Sequence, residues 1–222
     1  MTNHLEFSQR KIKKNYRSIT GHFPSVKNDR SVGFESKLEK TLFLSLEFDD
    51  TVDSYQEQPQ IEITFNGKKK TYSGDCFIKR TKDSNKKDAI VEVKYTNDIE
   101  KEKDYYIEKF RAIEETTSKL GLEFIVYTEK TDSEIYISNI DFLYRYKLYP
   151  IENKYNDILK TKIVNKKIAA NNLVSNIADS ITEYSAISNA LWSLVAHQVF
   201  KTDLNDFKLT MNSLVELNNG TS

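Results

Sequence analysis

Residues 88–95 read DAIVEVKY. The period of a strand puts Glu92 and Lys94 on one face and Val91 and Val93 on the other. The valines mark a face turned to a core. An acid and a base side by side on the opposite face suit a surface ion pair on a half-exposed strand. They equally suit a metal-dependent site that cuts phosphodiesters, and the flanking sequence has to separate the two.

Downstream, residues 100–119 carry a long amphipathic helical pattern that Gly121 is placed to cap. The apolar run LEFIVYT (122–128) then fits a buried strand. Upstream, residues 60–65 alternate as a strand, and Asn66-Gly67 is a hairpin signal. The returning segment KTYSGDCFI reads as one strand, with Thr71, Ser73, Asp75 and Phe77 on a common face. Residues 79–88 form a polar loop before the opening stretch. Further upstream, Phe34, Leu38, Leu42 and Leu46 recur at helical spacing, and Glu35 and Glu39 share a helix face. The order helix, three strands, helix, strand predicts an α/β core with a mixed sheet flanked by helices.

Strand signals fade after about residue 140, and Pro150 marks a boundary. Residues 151–200 are mostly helical in pattern, with an apolar stripe of Ile181, Tyr184, Ile187, Leu191, Leu194 and Val195. Trp192 beside it reads as core. Short strand-like pieces follow at 199–203 and 209–215. Helices followed by a short hairpin predict a small winged-helix-like domain. The expected division is a basic N-terminal arm at 1–30, a core at 31–145 and a mostly helical domain at 146–222.

The 222-residue chain has a formal net charge of zero, so nucleic-acid binding has to come from local patches. Residues 1–30 hold seven Lys/Arg against two acids, and residues 64–88 hold eight against three. Between them, residues 45–62 hold six acids and no base. Basic segments framing an acidic one suit a phosphate polyanion over a cation site, and also suit solvated surface. The arm, with Arg10, Lys11, Lys13, Lys14, Arg17, Lys27 and Arg30, suits DNA backbone contact. A single cysteine, no apolar leader and no bilayer-length apolar run predict a cytoplasmic protein.

The inward-facing polar residues are Glu39 on the helix, Asp75 on the hairpin, and Glu92 with Lys94 on the opening strand. Phosphodiester hydrolysis needs hard oxygen ligands for Mg²⁺, for which Mn²⁺ can substitute, and a cation that orients the attacking water or offsets developing charge. Glu39, Asp75 and Glu92 supply carboxylates, the Val93 backbone carbonyl can add a ligand, and Lys94 supplies the cation. Gln58, in QEQPQ, can position water near the metal or bond loop backbone. Cys76 lacks partner ligands, and His4, His22 and His197 are scattered, which argues against zinc. The absence of a Gly-rich phosphate loop and of G-x-S-x-G argues against an NTPase or a serine hydrolase.

Four ordered blocks carry a resemblance: SKLEKTLFLSLEF (36–48), YQEQPQIEITFNG (55–67), YSGDCFI (72–78) and IVEVK (90–94). They resemble the TnsA family, endonuclease subunits of heteromeric cut-and-paste transposases. LWSLVAHQVFKTDL (191–204) resembles the family's C-terminal winged-helix region more loosely. The resemblance implies a restriction-endonuclease-like PD-(D/E)xK core. Glu39 then matches the family's catalytic helix Glu, Asp75 its metal-binding Asp and Lys94 its catalytic Lys, while Glu92 stands where some members carry Gln. Glu35 ranks as a supporting residue. Many relatives have Pro-Asp-Phe where this chain has Gly74-Asp75-Cys76. The resemblance further implies cleavage of the non-transferred strand at the 5′ ends of a transposon. It implies a DDE-type transposase as partner and an AAA+ regulator at the C-terminal domain. The alternatives are a stand-alone restriction or repair nuclease of the same fold and a non-catalytic DNA-binding adaptor.

Overall fold

The computed structural model describes residues 5–7 and 19–218, in two units, Met1–Thr131 and Asp132–Ser222. In the first unit the elements run β1 (Glu6–Phe7), β2 (Gly21–Ser25), β3 (Arg30–Phe34), α1 (Lys37–Phe48), β4 (Val52–Glu57), β5 (Pro59–Phe65), β6 (Lys68–Ser73), β7 (Cys76–Arg80) and β8 (Ala89–Val93). They continue with α2 (Thr96–Lys101), α3 (Lys103–Lys119) and β9 (Glu123–Tyr127).

Asn66-Gly67 turns a long hairpin that changes sheets partway along its length. Its distal half, β5 against β6, joins β1 in a three-stranded sheet. Its proximal half, β4 against β7, joins β8 and β9 in a four-stranded sheet of order β4-β7-β8-β9. The switch falls at Gln58 on one arm and Gly74-Asp75 on the other. There the Gln58 N–H donates to the Asp75 carbonyl (3.1 Å) and the Gly74 N–H to the Pro59 carbonyl (2.9 Å). Gln58 takes a positive φ of 55°, a left-handed conformation that costs an ordinary residue energy. Gly74 leaves room for the crossing: a Cβ there would lie 2.7 Å from Ile90 Cγ2. KTYSGDCFI is therefore two strands of two sheets, because the backbone bends where the continuous period-two reading requires it to run straight.

The opening stretch is central, not half-exposed. β8 pairs antiparallel with β7 and parallel with β9, and all five of its residues are buried. Ile61, Ile63, Phe65, Tyr72, Phe77, Ile90 and Ile113 form one core cluster, with Phe110 and Phe124 against it. The helix expected over 100–119 is interrupted at Glu102, dividing α2 from α3. Gly121, at φ 76°, follows α3 as expected of a left-handed stop.

The arm expected at 1–30 needs correction at its end. Residues 21–34 form the β2–β3 hairpin, so Phe34 ends a strand and does not open the helix. Buried Glu47 of α1 pins this hairpin, accepting from the Ser25 and Tyr55 hydroxyls (2.6 and 2.8 Å) and the Val26 and Lys27 N–H groups (3.2 and 3.3 Å). Lys27 Nζ donates to the Asp49 and Val52 carbonyls, and Arg30 pairs with Glu57. These two bases thus bind protein groups. Arg10, Lys11, Lys13, Lys14 and Arg17 lie outside the described residues.

The second unit runs α4 (Glu134–Lys147), α5 (Asn156–Ile163), β10 (Lys167–Ala169), α6 (Ala170–Ser175), α7 (Ile181–Ala196), β11 (Phe200–Thr202) and β12 (Leu214–Leu217). Its sheet order is β10-β12-β11, antiparallel throughout. α4 belongs to this unit, which moves the division from 145/146 to 131/132. The apolar stripe buries Ile187, Leu191, Leu194 and Val195, whereas Ile181 is exposed at the start of α7. Trp192 is buried edge-on to Phe142 of α4. Buried Asn139 donates to the Leu204 and Phe207 carbonyls and accepts from the Leu209 N–H, holding the loop between β11 and β12. Among the described residues, no helix is long and apolar enough to cross a membrane.

Ile90 is fully buried and cannot yield to a new methyl group. Gly74→Ala should therefore destabilise the chain by about 1–3 kcal/mol, the usual cost of overpacking. Urea unfolding followed by circular dichroism should show the midpoint falling. An unchanged midpoint would mean that the bend tolerates a side chain.

Candidate active site

The bend delivers Asp75 to the edge of β8. Its N–H donates to the Val91 carbonyl (2.9 Å), and its Oδ2 accepts from the Val93 N–H (2.6 Å). Asp75 is thus tied to the central strand by both backbone and side chain. β8 itself supplies Glu92, which is 6 % exposed, and half-buried Lys94, the first residue after β8, donates its N–H to the Tyr127 carbonyl (3.0 Å). A cleft of about 330 Å³ is lined by Glu39, Tyr72, Asp75, Glu92, Lys94 and Lys109, with Val93 at its wall. All four acid and base side chains expected from the sequence reach the same cleft.

Glu39 arrives with a second task. Ser36 caps α1 by accepting the Glu39 N–H (3.0 Å), and its hydroxyl donates to Glu39 Oε1 (3.0 Å). Glu39 Oε2 accepts the Glu35 N–H (2.9 Å). This is a variant of the S-x-x-E capping box in which the Glu reaches the N–H before the cap, legible in Ser36-Lys37-Leu38-Glu39 and outside the sequence reading. The same device opens α7, where Ser180 accepts the Glu183 N–H and Glu183 accepts that of Asp179. Glu35 contributes its backbone to the cap. Gln58 likewise acts through its backbone, at the bend.

Two residues of the cleft were not anticipated. The Tyr72 hydroxyl donates to Glu92 Oε2 (2.5 Å), and Lys109 Nζ lies 2.7 Å from Glu92 Oε1. Both oxygens of Glu92 are therefore engaged. Tyr72 has the opposite parity to Asp75 on the hairpin, and only the bend lets both reach one cleft. Lys109 comes from α3, where one more lysine on an amphipathic helix carries no signal.

Electrostatics follow from this crowding. Burial, then the Glu92 charge and more weakly that of Glu39, push the Asp75 carboxyl up to about 7, against the pull of the Val93 N–H and Lys94. Burial also raises the Glu39 carboxyl. For Lys94, burial pulls the ammonium down, but the Tyr106 hydroxyl and the charges of Glu92 and Asp75 carry it above its usual value. Burial, and then Asp75, push the fully buried Cys76 thiol up, in keeping with a core residue.

Among the described residues, no three His, Cys, Asp or Glu side chains gather closely enough to hold a metal as they stand. Glu39 is engaged by its cap, and Glu92 by Tyr72 and Lys109. The donor chemistry nevertheless fits a hard divalent cation: three carboxylates line one cleft, and the charges of Glu92 and Glu39 add to burial in raising Asp75. Glu39 accepts one cap bond on each oxygen, which leaves lone pairs for such a cation.

These features define a class: a mixed α/β domain whose central strand brings an acid-x-lysine pair to a carboxylate-lined cleft. Residues 49–129 match the family model described as TnsA-like endonuclease N terminal. The chain thus carries a TnsA-like endonuclease domain over that span, which implies a restriction-endonuclease-like fold and a DNA substrate. The span holds Asp75, Glu92, Lys94 and Lys109, and begins after Glu39. No curated protein matches the chain.

In the unfolded chain an Asp carboxyl titrates near about 4. Between that value and about 7, folded Asp75 keeps a proton that the unfolded chain releases. Its contribution to stability is therefore present at low pH and is lost as pH rises through this window. Thermal unfolding of the metal-free chain at pH 5 and pH 8, compared with Asp75→Asn, should show that the substitution removes a loss of stability at pH 8. A wild-type and variant difference that is the same at both values would contradict the assignment.

Proposed function

We propose that this chain is a metal-dependent DNA endonuclease working as a subunit of a heteromeric transposase. In this reading it cleaves the non-transferred strand at the 5′ ends of the element. A DDE-type transposase subunit handles the 3′ ends, and an AAA+ regulator engages the C-terminal unit. The observation that carries the nuclease reading is that Asp75, Glu92 and Lys94 line one cleft inside the span that matches the TnsA-like model.

Asp75 and Glu92, with the Val93 carbonyl and Glu39, would hold Mg²⁺ or Mn²⁺. Such an ion, when bound, polarises a phosphoryl oxygen and lowers the pKa of an attacking water. Lys94 remains a charged ammonium, since its pKa is raised, so it acts as a cation toward the scissile phosphate or the water, not as a base. The Tyr106 ring lies 5.6 Å from Lys94 Nζ and limits where that ammonium can swing. In the second unit, the order two helices, a strand, two helices, two strands, with sheet order β10-β12-β11, supports the winged-helix-like reading of a partner-binding module.

The test is cleavage of DNA bearing the transposon ends in Mg²⁺, with and without the partner transposase and regulator. The chain alone should cut weakly, because phosphate contacts position DNA without specifying sequence. With partners, Asp75→Ala should abolish cutting, and Lys94→Ala should slow it by about 10²–10³-fold while leaving the fold intact. Efficient sequence-specific double-strand cleavage by the chain alone would favour a stand-alone restriction enzyme. Mg²⁺-dependent cutting that Asp75→Ala leaves unchanged would favour a non-catalytic DNA-binding adaptor.

A further inference from the structure

Lys109 is the one basic group of the cleft that this mechanism does not use. Its ammonium lies 2.7 Å from Glu92 Oε1, with the two side chains 19 % and 8 % exposed. The Tyr72 ring centroid is 5.3 Å from it and the Tyr106 centroid 5.8 Å. Surface lysines rarely hold one geometry, because long side chains lose rotamer freedom and gain little in water. Here two aromatic faces confine the ammonium, and the carboxylate it meets is held on its other oxygen by the Tyr72 hydroxyl. Glu92 is thus clamped at both oxygens by groups from two elements, β6 and α3, that are remote in sequence.

The clamp sits where charge is most crowded. Glu39, Asp75 and Glu92 line the cleft together, and Lys94 is shared among Glu92, Asp75 and Tyr106. Lys109 adds a fixed positive charge at the acid of the acid-x-lysine pair. A divalent cation entering the cleft must share Glu92 with that ammonium and accept its repulsion.

We propose that Lys109 is a built-in counter-cation of the acidic cleft: a positioning residue that, with Tyr72, orients Glu92 and holds down the affinity of the cleft for divalent metal. The inference rests on the metal-site reading and assigns Lys109 no contact with the reacting phosphate. Removing the charge makes the metal-free cleft less stable, because its carboxylates repel one another with less compensation. It also makes the cleft a better cation trap.

The test is isothermal titration of the full chain with Mn²⁺ alone, beside thermal unfolding with and without Mn²⁺. Lys109→Met should bind Mn²⁺ about tenfold more tightly, the scale expected when one unit charge near a divalent ion is removed through well-screened surroundings. Mn²⁺ should raise the unfolding temperature of this variant more than that of the wild type. Lys109→Arg, which keeps the charge, should stay near wild-type affinity. Lys109→Gln, which keeps a donor but loses the charge, should follow Lys109→Met and carries the test if the Met variant does not fold. If the wild type binds Mn²⁺ in a manner that Asp75→Ala abolishes, but the Met and Gln variants bind no more tightly, this inference alone is overturned. If wild type and Asp75→Ala behave alike toward Mn²⁺, the metal-site reading falls and this inference with it.

Discussion

The bend in the β4–β7 and β5–β6 hairpin is the constraint on which the rest of the cleft depends. A straight two-stranded ribbon would keep Tyr72 and Asp75 on opposite faces, because neighbouring strand positions alternate. Breaking the ribbon at Gln58 and at Gly74-Asp75 reorients the chain. Tyr72 then packs in one sheet while Asp75 leans on the central strand of the other. The break is stabilised from both sides, by the Gln58 and Gly74 N–H groups reaching across to Asp75 and Pro59. It also requires a residue without Cβ, since the crossing backbone passes close to Ile90. The glycine of the Gly74-Asp75 pair therefore has a steric reason here.

Burial on both faces gives β8 its chemical character. β8 is paired on both edges and all five of its residues are buried, so little water reaches its polar side chains and partners within the protein matter. Glu92 finds Tyr72 and Lys109, Asp75 finds a backbone N–H, and Lys94 finds Tyr106. Burial raises both the Asp75 and the Glu39 carboxyls, and the Glu92 charge raises Asp75 further. Structural stability alone would not select such an arrangement, since like charges brought together in a desolvated site cost free energy.

Glu39 shows how one side chain can serve two masters. Its place in the S-x-x-E box accounts for its position at the head of α1 without any catalytic role, as Glu183 does at the head of α7. Its place on the cleft wall, beside Asp75, is what sets it apart from Glu183. The buried Glu47 further along α1 is a contrasting case. Every acceptor bond it makes goes to the β2–β3 hairpin or to β4, so it anchors the fold and faces no cleft.

Much was legible in the linear chain, because it depends on local pattern. The helical spacing of Leu38, Leu42 and Leu46, the Asn66-Gly67 turn, the Gly121 stop and the period-two run through Val93 each have short-range physical causes. The acid-x-lysine pair on one strand face follows from the same alternation, and four ordered blocks made the family resemblance readable. Tertiary structure alone decided the rest. Period-two logic could not show that KTYSGDCFI bends between two sheets, because the bend is set by close approach to Ile90 and by hydrogen bonds between residues remote in sequence. Nor could it place Lys109, whose role comes from α3 packing its lysine against a carboxylate seventeen positions earlier. Local periodicity records which face a residue occupies; only packing decides which faces meet, and in this protein the cleft is made where they do.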